Sequence, residues 1–532
     1  MRLWAWVMVF CTGSFLQAQP ADNPALEFVS QPGSRSSTSI GGGPRAGSGP
    51  GAAGGSAQAD FDSLIELIQS TVARDSWTEN GTGEGDIQPF PTGVLIDAEG
   101  TLRLSVANRP ATGQVSAALA GGRQKSSSLR AVAGSARTAS KLRFVSLPRL
   151  ERAIGLRQQH HWPLPIDMLA LAGLQRLEYV LVVPPSKDFP VGDLLLAGPA
   201  SDWLVQPSGR IVALETGRPI VRLDDLLVIL RRNQTTRRAS FGCSITPRQA
   251  ALAATQDYLR RTGQRPLEPG GRKPWLRGLR DTLGKQDVEF FGIDPQTHVA
   301  RVLLAADYHM KLIGMGLVDG VPGVDSYLAT VTLAADGTPP PMHVLRWWFA
   351  LKYAPVTTNM AHDTYHILGP GVQVLSENEL LAARGQRVHT GQSDALNRRF
   401  AAHFTAAYPQ LSRKYPLYAE LHNLFDLALA VALIKTEGLA ERVGWQPGLL
   451  LDSRRLRLPT VATPKQVETV INYRQLGGRH IVAGVSGGVW VDTGKGLHIQ
   501  EWKPAQAAKG PALLRSRRTA PAPGKDSTWW WD

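Results

Sequence analysis

The stretch HVLRWWFALKYAPVTTNMAHDTYHILGPGVQVL, residues 343–375, decides the fold class. Its apolar runs, like VSGGVWVD at 485–492, predict antiparallel strands joined by Gly-rich turns. Helical patterns surround it: QTHVARVLLAADYHMKL (296–312) precedes it, and a helical pair follows within 393–438. Strands and helices are mixed without a regular β-α-β alternation. The sequence therefore predicts an α+β fold of mixed, largely antiparallel sheets, packed helices and a C-terminal helical pair.

Composition divides the 532 residues into folded and unfolded stretches. Segments rich in Gly, Ser, Ala and Pro cannot bury enough apolar surface to order themselves, so we expect a disordered leader, linker and tail. The predicted order is a signal peptide (1–18), a disordered leader (19–59), a small acidic helix-strand module (60–106), a basic flexible linker (107–143), an N-terminal α+β domain (144–235), a main α+β domain (236–502) and a basic, Trp-ended tail (503–532).

The first residues, MRLWAWVMVFCTGSFLQAQ, predict export. One arginine, an apolar run from Leu3 to Leu16 and small residues up to a cleavage point near Ala18 are typical of a secretory signal peptide. Loss of that peptide leaves Cys243 as the single cysteine, so neither an intramolecular disulfide nor a site with several thiolates is available. We expect a periplasmic or envelope-associated protein without a transmembrane span in the mature chain.

The net charge of +14 is concentrated locally. Residues 231–280 contain twelve basic and two acidic side chains, whereas the module at 60–106 contains two basic and nine acidic ones. Basic patches attract polyanions by releasing counterions. For an exported protein the expected partner is an anionic envelope polymer or another exported protein, and nucleic acid is not expected. The alternative is a solvated surface that only keeps the chain soluble.

RWWF, residues 346–349, is the main binding candidate. In a strand, Trp347 and Phe349 share one face, and Arg346 and Trp348 share the other. One face is expected to be core. The other would present an aromatic plate with a guanidinium, which suits a sugar or a peptide. Core packing on both faces is the competing interpretation.

AADYHMKLIGMG, residues 305–316, combines several reactive residue types. Asp307 and Lys311 lie four apart on the predicted helix, which predicts a salt bridge on the helix surface. Gly314 and Gly316 then allow the chain to turn away. A structural role is favoured, with Asp307 and Lys311 kept as secondary binding candidates.

The catalytic motifs are incomplete, so no catalytic residue, cofactor or metal site is predicted. GVSGG (484–488) fits G-x-S-x-G, but strand-like residues follow it where a helix is required, which favours a hairpin turn. HDTYH (362–366) lacks the glutamate of H-E-x-x-H, and its neighbours predict extended chain. A non-enzymatic role is favoured. The alternative is an exported hydrolase of an envelope polymer that uses Asp307, His309 or Ser486.

STWWWD, residues 527–532, ends a basic and flexible segment. Its tryptophans have no predicted core to enter. Trp529 to Trp531 are therefore expected to anchor the tail at a partner or at a membrane interface.

Three blocks together resemble a family of secreted planctomycete proteins built around a domain of unknown function. They are ARVLLAADYHMKLIGMG (300–316), RWWF, and FAAHFTAAYPQLSRKYPLYAELHNLFDLA (400–428), within a resemblance that covers roughly 240–500. The segment DFDSLIELIQSTVARDSW, with the IQPF that follows it, is similar to a short module of exported proteins that include secretin-like ones. The resemblance implies location and architecture but no activity. We therefore expect an envelope-associated binding or assembly factor.

Overall fold

The computed structural model describes part of the chain. The described residues are 86–90, 93–97, 136–185, 187, 191–206, 208–235, 240–262, 272–333, 344–381, 387–476, 479–502 and 528–532. The predicted signal peptide, the leader and the amphipathic helix of the acidic module lie outside these ranges, as do most of the predicted linker and tail.

Nineteen strands are described. In chain order they are β1 (Asp86–Phe90), β2 (Gly93–Asp97), β3 (Ser140–Ser146), β4 (Tyr179–Val183), β5 (Asp193–Ala200), β6 (Trp203–Val205), β7 (Ile211–Ala213), β8 (Ser240–Pro247), β9 (Lys285–Phe291), β10 (Val344–Lys352), β11 (Val356–Thr358), β12 (Thr364–His366), β13 (Gly371–Leu381), β14 (Arg387–His389), β15 (Gln466–Glu468), β16 (Ile471–Leu476), β17 (Arg479–Asp492), β18 (Ile499–Glu501) and β19 (Trp530–Trp531).

Twelve α-helices and one 3-10 turn (Leu171–Gly173) accompany these strands within the described ranges. The helices are α1 (Leu147–Gln159), α2 (Ile166–Leu169), α3 (Leu223–Thr235), α4 (Gln249–Thr262), α5 (Arg272–Leu283), α6 (His298–Gly314), α7 (Tyr327–Thr330), α8 (Ala395–Ala406), α9 (Tyr408–Lys414), α10 (Pro416–Thr436), α11 (Leu439–Arg442) and α12 (Thr493–Gly496). The predicted α+β class is confirmed.

An eight-stranded sheet holds the RWWF strand. Its order is β14-β13-β10-β17-β8-β9-β15, with β16 paired to the first half of β17. Neighbouring strands are antiparallel except β10 and β17, which run parallel. β10 is therefore an inner strand with a ladder on each side, which fixes which of its side chains face the helices.

A seven-stranded sheet combines strands from both predicted domains. Its order is β18-β11-β12-β4-β5-β3-β19, so the last described residues form its outermost strand. The prediction that 107–143 is linker is wrong at its end, because β3 begins at Ser140 and Arg143 is fully buried. Within the predicted acidic module, β1 and β2 pair antiparallel.

The helices α6 and α10 form much of the core. The Thr297 side chain caps the first turn of α6, and Pro416 begins α10 at a position where its missing N–H costs nothing. Among the described residues α10 is long and apolar enough to cross a membrane, but 94% of its most apolar window is buried inside the protein. That burial is typical of the core helix of a globular domain.

Candidate functional site

The RWWF strand separates a closed core from a partly open sheet face. Trp347 and Phe349 are fully buried against α8 and α10. The Trp347 ring lies 4.2 Å from that of Phe400, and its indole N–H donates to Asn397 Oδ1. This side of β10 is therefore packed shut, as expected for one of its two faces.

Trp348 lies on the opposite face and is half-buried. The Arg346 guanidinium is 4.8 Å from the Trp348 ring centroid, a cation–π contact. Trp348 pairs in register with Gly488 of β17, so Trp490, two residues further along β17, faces the same way. Trp490 in turn packs on Phe291 of β9, with ring centroids 5.1 Å apart. We name Trp348, Trp490 and Phe291 the aromatic face.

Glycine forms the floor of the aromatic face. A Cβ at Gly242, which pairs with Trp490, would lie 1.8 Å from the Val489 carbonyl oxygen and 2.8 Å from the Phe291 ring. Only glycine fits this close approach. The rings therefore stand beside bare backbone, and all three are half-buried. Such an arrangement can receive a flat, partly apolar ligand.

A charge cluster borders the aromatic face on β13 and β14. Arg346 lies 3.0 Å from Glu377, and Arg387 lies 3.1 Å from the fully buried Glu379. His389 Nδ1 is 3.3 Å from Glu377 and 3.2 Å from Glu379. Burial alone would raise the pKa of Glu377, but hydrogen bonds from the Gly391 N–H and from Arg346 outweigh it and lower that pKa. Glu377 is therefore held as a carboxylate.

Glu377, Glu379 and His389 are close enough to share a metal ion, since their ligand atoms lie within 4.8 Å of one another. However, two guanidiniums, those of Arg346 and Arg387, already balance the two carboxylates. A divalent cation would be repelled by both of them. The arrangement therefore fits an internal ion network that positions Arg346 better than it fits a metal centre.

The Asp307–Lys311 pair forms, but not on a surface. The Lys311 Nζ lies 2.7 Å from Asp307 Oδ2, and both side chains are fully buried. Asp307 Oδ1 accepts a hydrogen bond from the Gly488 N–H at 2.8 Å. The predicted surface location is wrong because α6 is apolar on nearly every side and is enclosed by the core.

Burial shifts both groups toward their neutral forms. It raises the pKa of Asp307 and lowers that of Lys311, although each partner's charge opposes the shift of the other. A lysine with a lowered pKa can serve as a base or nucleophile. Lys311 has no exposed surface, however, so a ligand would have to open the β17–α6 interface to reach it.

The residues of the hydrolase hypothesis have separate partners. The turn predicted at GVSGG is wrong: Ser486 lies in the interior of β17, fully buried, and donates to Glu379 Oε2 at 3.2 Å. His309 hydrogen-bonds the Tyr418 hydroxyl through Nδ1 at 2.8 Å, and burial lowers its pKa to about 4. Asp307 pairs with Lys311 rather than with His309.

A second buried group was not foreseen. His298 Nδ1 lies 2.9 Å from Asp225, and its Nε2 has no hydrogen-bond partner among the described residues. Glu420 is 4.0 Å from that Nε2 and accepts from Arg210. Asp225 and His298 are 73 positions apart, and neither stands in a recognisable motif. Likewise, nothing near Phe291 or Trp490 in the sequence linked them to RWWF.

Residues 243–327 match the family model described as "Protein of unknown function (DUF1598)". This match begins within β8, covers α4, α5, β9 and α6, reaches the start of α7 and ends before RWWF. No curated protein and no solved structure matches the chain. Phe291 and the Asp307–Lys311 pair thus fall inside the matched domain, whereas Trp348 and Trp490 fall outside it.

Proposed function

We propose that this protein is an exported, envelope-associated binding or assembly factor, and that its aromatic face contacts an anionic envelope polymer. The N-terminal signal-peptide pattern and the resemblance to secreted planctomycete proteins support export. An exported protein partner is the other ligand that this surface chemistry suits.

The observation that carries the proposal is the asymmetry of β10. Trp347 is fully buried, whereas the neighbouring Trp348 stays half-buried under Arg346. Trp490 and Phe291 extend the same surface over two further strands. Half-buried tryptophans beside a fixed guanidinium are typical of binding surfaces, since aromatic and arginine side chains dominate interface energies.

The positive charge that would attract a polyanion lies on two helices that connect neighbouring strands of the same sheet. The basic helices α4 and α5 link β8 to β9 and pack on each other through Leu252, Tyr258 and Trp275. Their exposed side chains include Arg261, Arg277 and Arg280. We infer that these arginines attract the polymer over a distance and that the aromatic face holds it at contact.

The test is co-sedimentation of the full chain with isolated cell-envelope fractions and with protein-free peptidoglycan sacculi, from about 50 mM to about 500 mM salt. Trp348→Ala/Trp490→Ala should weaken binding to sacculi about 10-fold or more, as expected for two interface aromatics. Leu156→Ala is the control, because Leu156 is an apolar residue that is 43% exposed and lies on α1, outside the eight-stranded sheet.

Equal binding of the double variant and the wild type would reject the aromatic face. Binding to whole envelope fractions but not to sacculi would assign the face to an exported protein instead of a polymer. Salt should weaken the wild type and the double variant in parallel, because the arginines of α4 and α5 remain in both.

A hydrolase is the second candidate, and the Asp225–His298 pair is the observation that favours it. A carboxylate on one imidazole nitrogen leaves the other without a hydrogen-bond partner among the described residues, as a general base requires, but His298 is buried and a substrate would have to open the core to reach it. In the same sedimentation experiment, a hydrolase would release soluble fragments from sacculi, and His298→Asn would stop the release. That result would replace the binding proposal.

A further inference from the structure

The outer edge of the seven-stranded sheet is built around a buried arginine. Arg143 on β3 is fully buried, and all five of its N–H groups donate. Two of them bind the Asp532 carboxylate side by side, each at 2.8 Å. The other three go to the carbonyls of Ala136, Ala172 and Thr138. Such a guanidinium fork recognises a carboxylate with defined geometry.

The tryptophans before Asp532 fit the same edge. Trp530 pairs with Val145 and Trp531 with Phe144, antiparallel, and the Ser146 N–H donates to the Trp529 carbonyl at 2.9 Å. Arg143 lies 4.5 Å from the Trp530 ring centroid, and Arg149 lies 5.3 Å from that of Trp531. The expectation that these tryptophans have no core to enter is therefore wrong: Trp529 and Trp531 are each 7% exposed.

The turn that supports Arg143 at this edge has an unusual backbone conformation. Leu171 and Ala172 have φ of 39° and 53°, which side chains with a Cβ rarely adopt, and Gly173 follows at 82°. The turn brings the Ala172 carbonyl to 2.7 Å from Arg143. Strained backbone of this kind clusters at ligand clamps. The guanidinium is thus oriented by groups that do not belong to residues 528–532.

We propose that the β3 edge, with Arg143 as carboxylate anchor, is a recognition site for an extended Trp-Trp-Asp segment, and that it accepts this segment from a second copy of the chain. The recognition is strand addition, with main-chain pairing for affinity and side-chain contacts for specificity. The site is separate from the aromatic face and would operate whether or not that face binds a polymer.

A second copy is the occupant because it carries the matching ligand. Within the described residues, β19 pairs through two residues on one side, and the Ser146–Trp529 main-chain bond adds one contact, so little main chain must separate for the segment to leave. Residues 503–527 separate it from the preceding described residue, and fully extended they reach about 80 Å. Exchange of an identical element between copies preserves every contact described above.

The first experiment measures recognition in the full chain. Trp530→Ala/Trp531→Ala/Asp532→Ala removes the resident ligand, and a fluorescent Ser-Thr-Trp-Trp-Trp-Asp peptide is titrated against this variant by anisotropy. We expect saturable binding that is at least about 10-fold tighter than for the same peptide ending in Asn. Wild-type protein should bind the peptide at least about 10-fold more weakly, because its own segment competes. Equal binding of the Asp and Asn peptides, or no binding by a variant with native circular dichroism, would overturn the proposal.

The second experiment identifies the donor. An Arg143→Met chain keeps the segment but loses the anchor, and the triple variant keeps the anchor but loses the segment. Analytical ultracentrifugation should show each variant monomeric alone and a 1:1 complex in the mixture. Arg143→Lys serves if Arg143→Met fails to fold, because it keeps a cation but not the fork. Peptide binding without a mixed complex would confine the contact to one copy and overturn exchange.

Discussion

The two tryptophan runs of this chain use the same contacts in different settings. Trp348 and Trp530 each lie under an arginine, with guanidinium-to-ring distances of 4.8 and 4.5 Å. β10 has a nine-residue ladder to β13 on one side and pairs with β17 on the other, whereas β19 has a two-residue ladder on one side. The arginine–tryptophan contact is the same in both places. The difference teaches that the length of the ladder and the number of neighbouring strands decide whether a strand is fixed in its sheet or can leave it.

The contrast predicts where stability resides. An inner strand cannot leave without breaking two ladders and opening the apolar core around Trp347. An edge segment forfeits one short ladder, the Arg143–Asp532 ion pair and the packing of its tryptophans, but it leaves the central core closed. Substitutions in β10 should therefore cost more free energy of unfolding than substitutions in β19.

The largest expected effect is that of Trp347→Ala. Trp347 is fully buried between Phe400 and Tyr327, so its loss leaves a large cavity. We expect a decrease of about 3–5 kcal/mol in the free energy of unfolding, measured by urea denaturation. Trp348→Ala, one position along, is the control and should cost about 1 kcal/mol, since its ring is only partly buried and leaves no enclosed cavity. Similar costs for both would mean that the aromatic face is also core.

A smaller loss of stability should follow acidification, because a buried histidine lies in the core between α6 and α10. Burial, and secondarily Lys414, lowers the pKa of His309 from 6.5 to about 4, and His309 contacts Tyr418 and Tyr415. The unfolded chain therefore binds a proton at higher pH than the folded one. Stability should be complete above pH 6.5 and fall as the pH drops toward 4, by about 2 kcal/mol at pH 5 for this histidine.

The measurement is the urea midpoint from pH 7.5 to 4.5, compared with that of His309→Gln. The variant is less stable overall, so the quantity compared between the two proteins is the slope of the urea midpoint against pH. His422, whose pKa burial also lowers to about 4, keeps its own contribution in both proteins. An unchanged slope in the variant would show that His309 titrates normally and that the α6–α10 contact is open to water.

Local sequence patterns predicted much of the central sheet and of the helix beside it. The alternation in RWWF placed Trp347 on one face and Arg346 on the other, and β10 has them so, because strand periodicity is a local property. The i, i+4 spacing of Asp307 and Lys311 likewise predicted their contact. Their burial was missed, although α6 is apolar around most of its circumference, a pattern that indicates an enclosed helix.

Features that depend on contacts between distant chain segments could not be predicted from local sequence patterns. The glycines of GVSGG suggested a turn, but a Cβ at Gly487 would lie 1.9 Å from the Trp347 carbonyl oxygen, so close strand packing requires glycine there. The Arg143–Asp532 contact joins residues 389 positions apart. No local pattern assigns a core to STWWWD, since the strand that receives it lies at the other end of the described chain.

The smallest expected effect on stability is that of a substitution beside the edge strand β19, and it gives the sharpest test of the contrast with β10. Asp532→Asn keeps the shape of the side chain but offers Arg143 one oxygen and an amide that cannot accept. Because the Asp532 side chain is 38% exposed, water replaces part of what is lost. We therefore expect a decrease of about 1 kcal/mol in the free energy of unfolding.

Asp202→Asn is the matched control for that measurement, because Asp202 pairs with Arg137 at the same 2.8 Å without belonging to β19. Both variants should remain folded, with only Asp532→Asn exposing Trp530 and Trp531 to a fluorescence quencher. A cost for Asp532→Asn as large as that for Trp347→Ala would contradict the contrast between the strands. β19 would then be as integral to the fold as β10, and a segment held that firmly could not exchange between copies on a useful timescale, because release would approach the cost of unfolding.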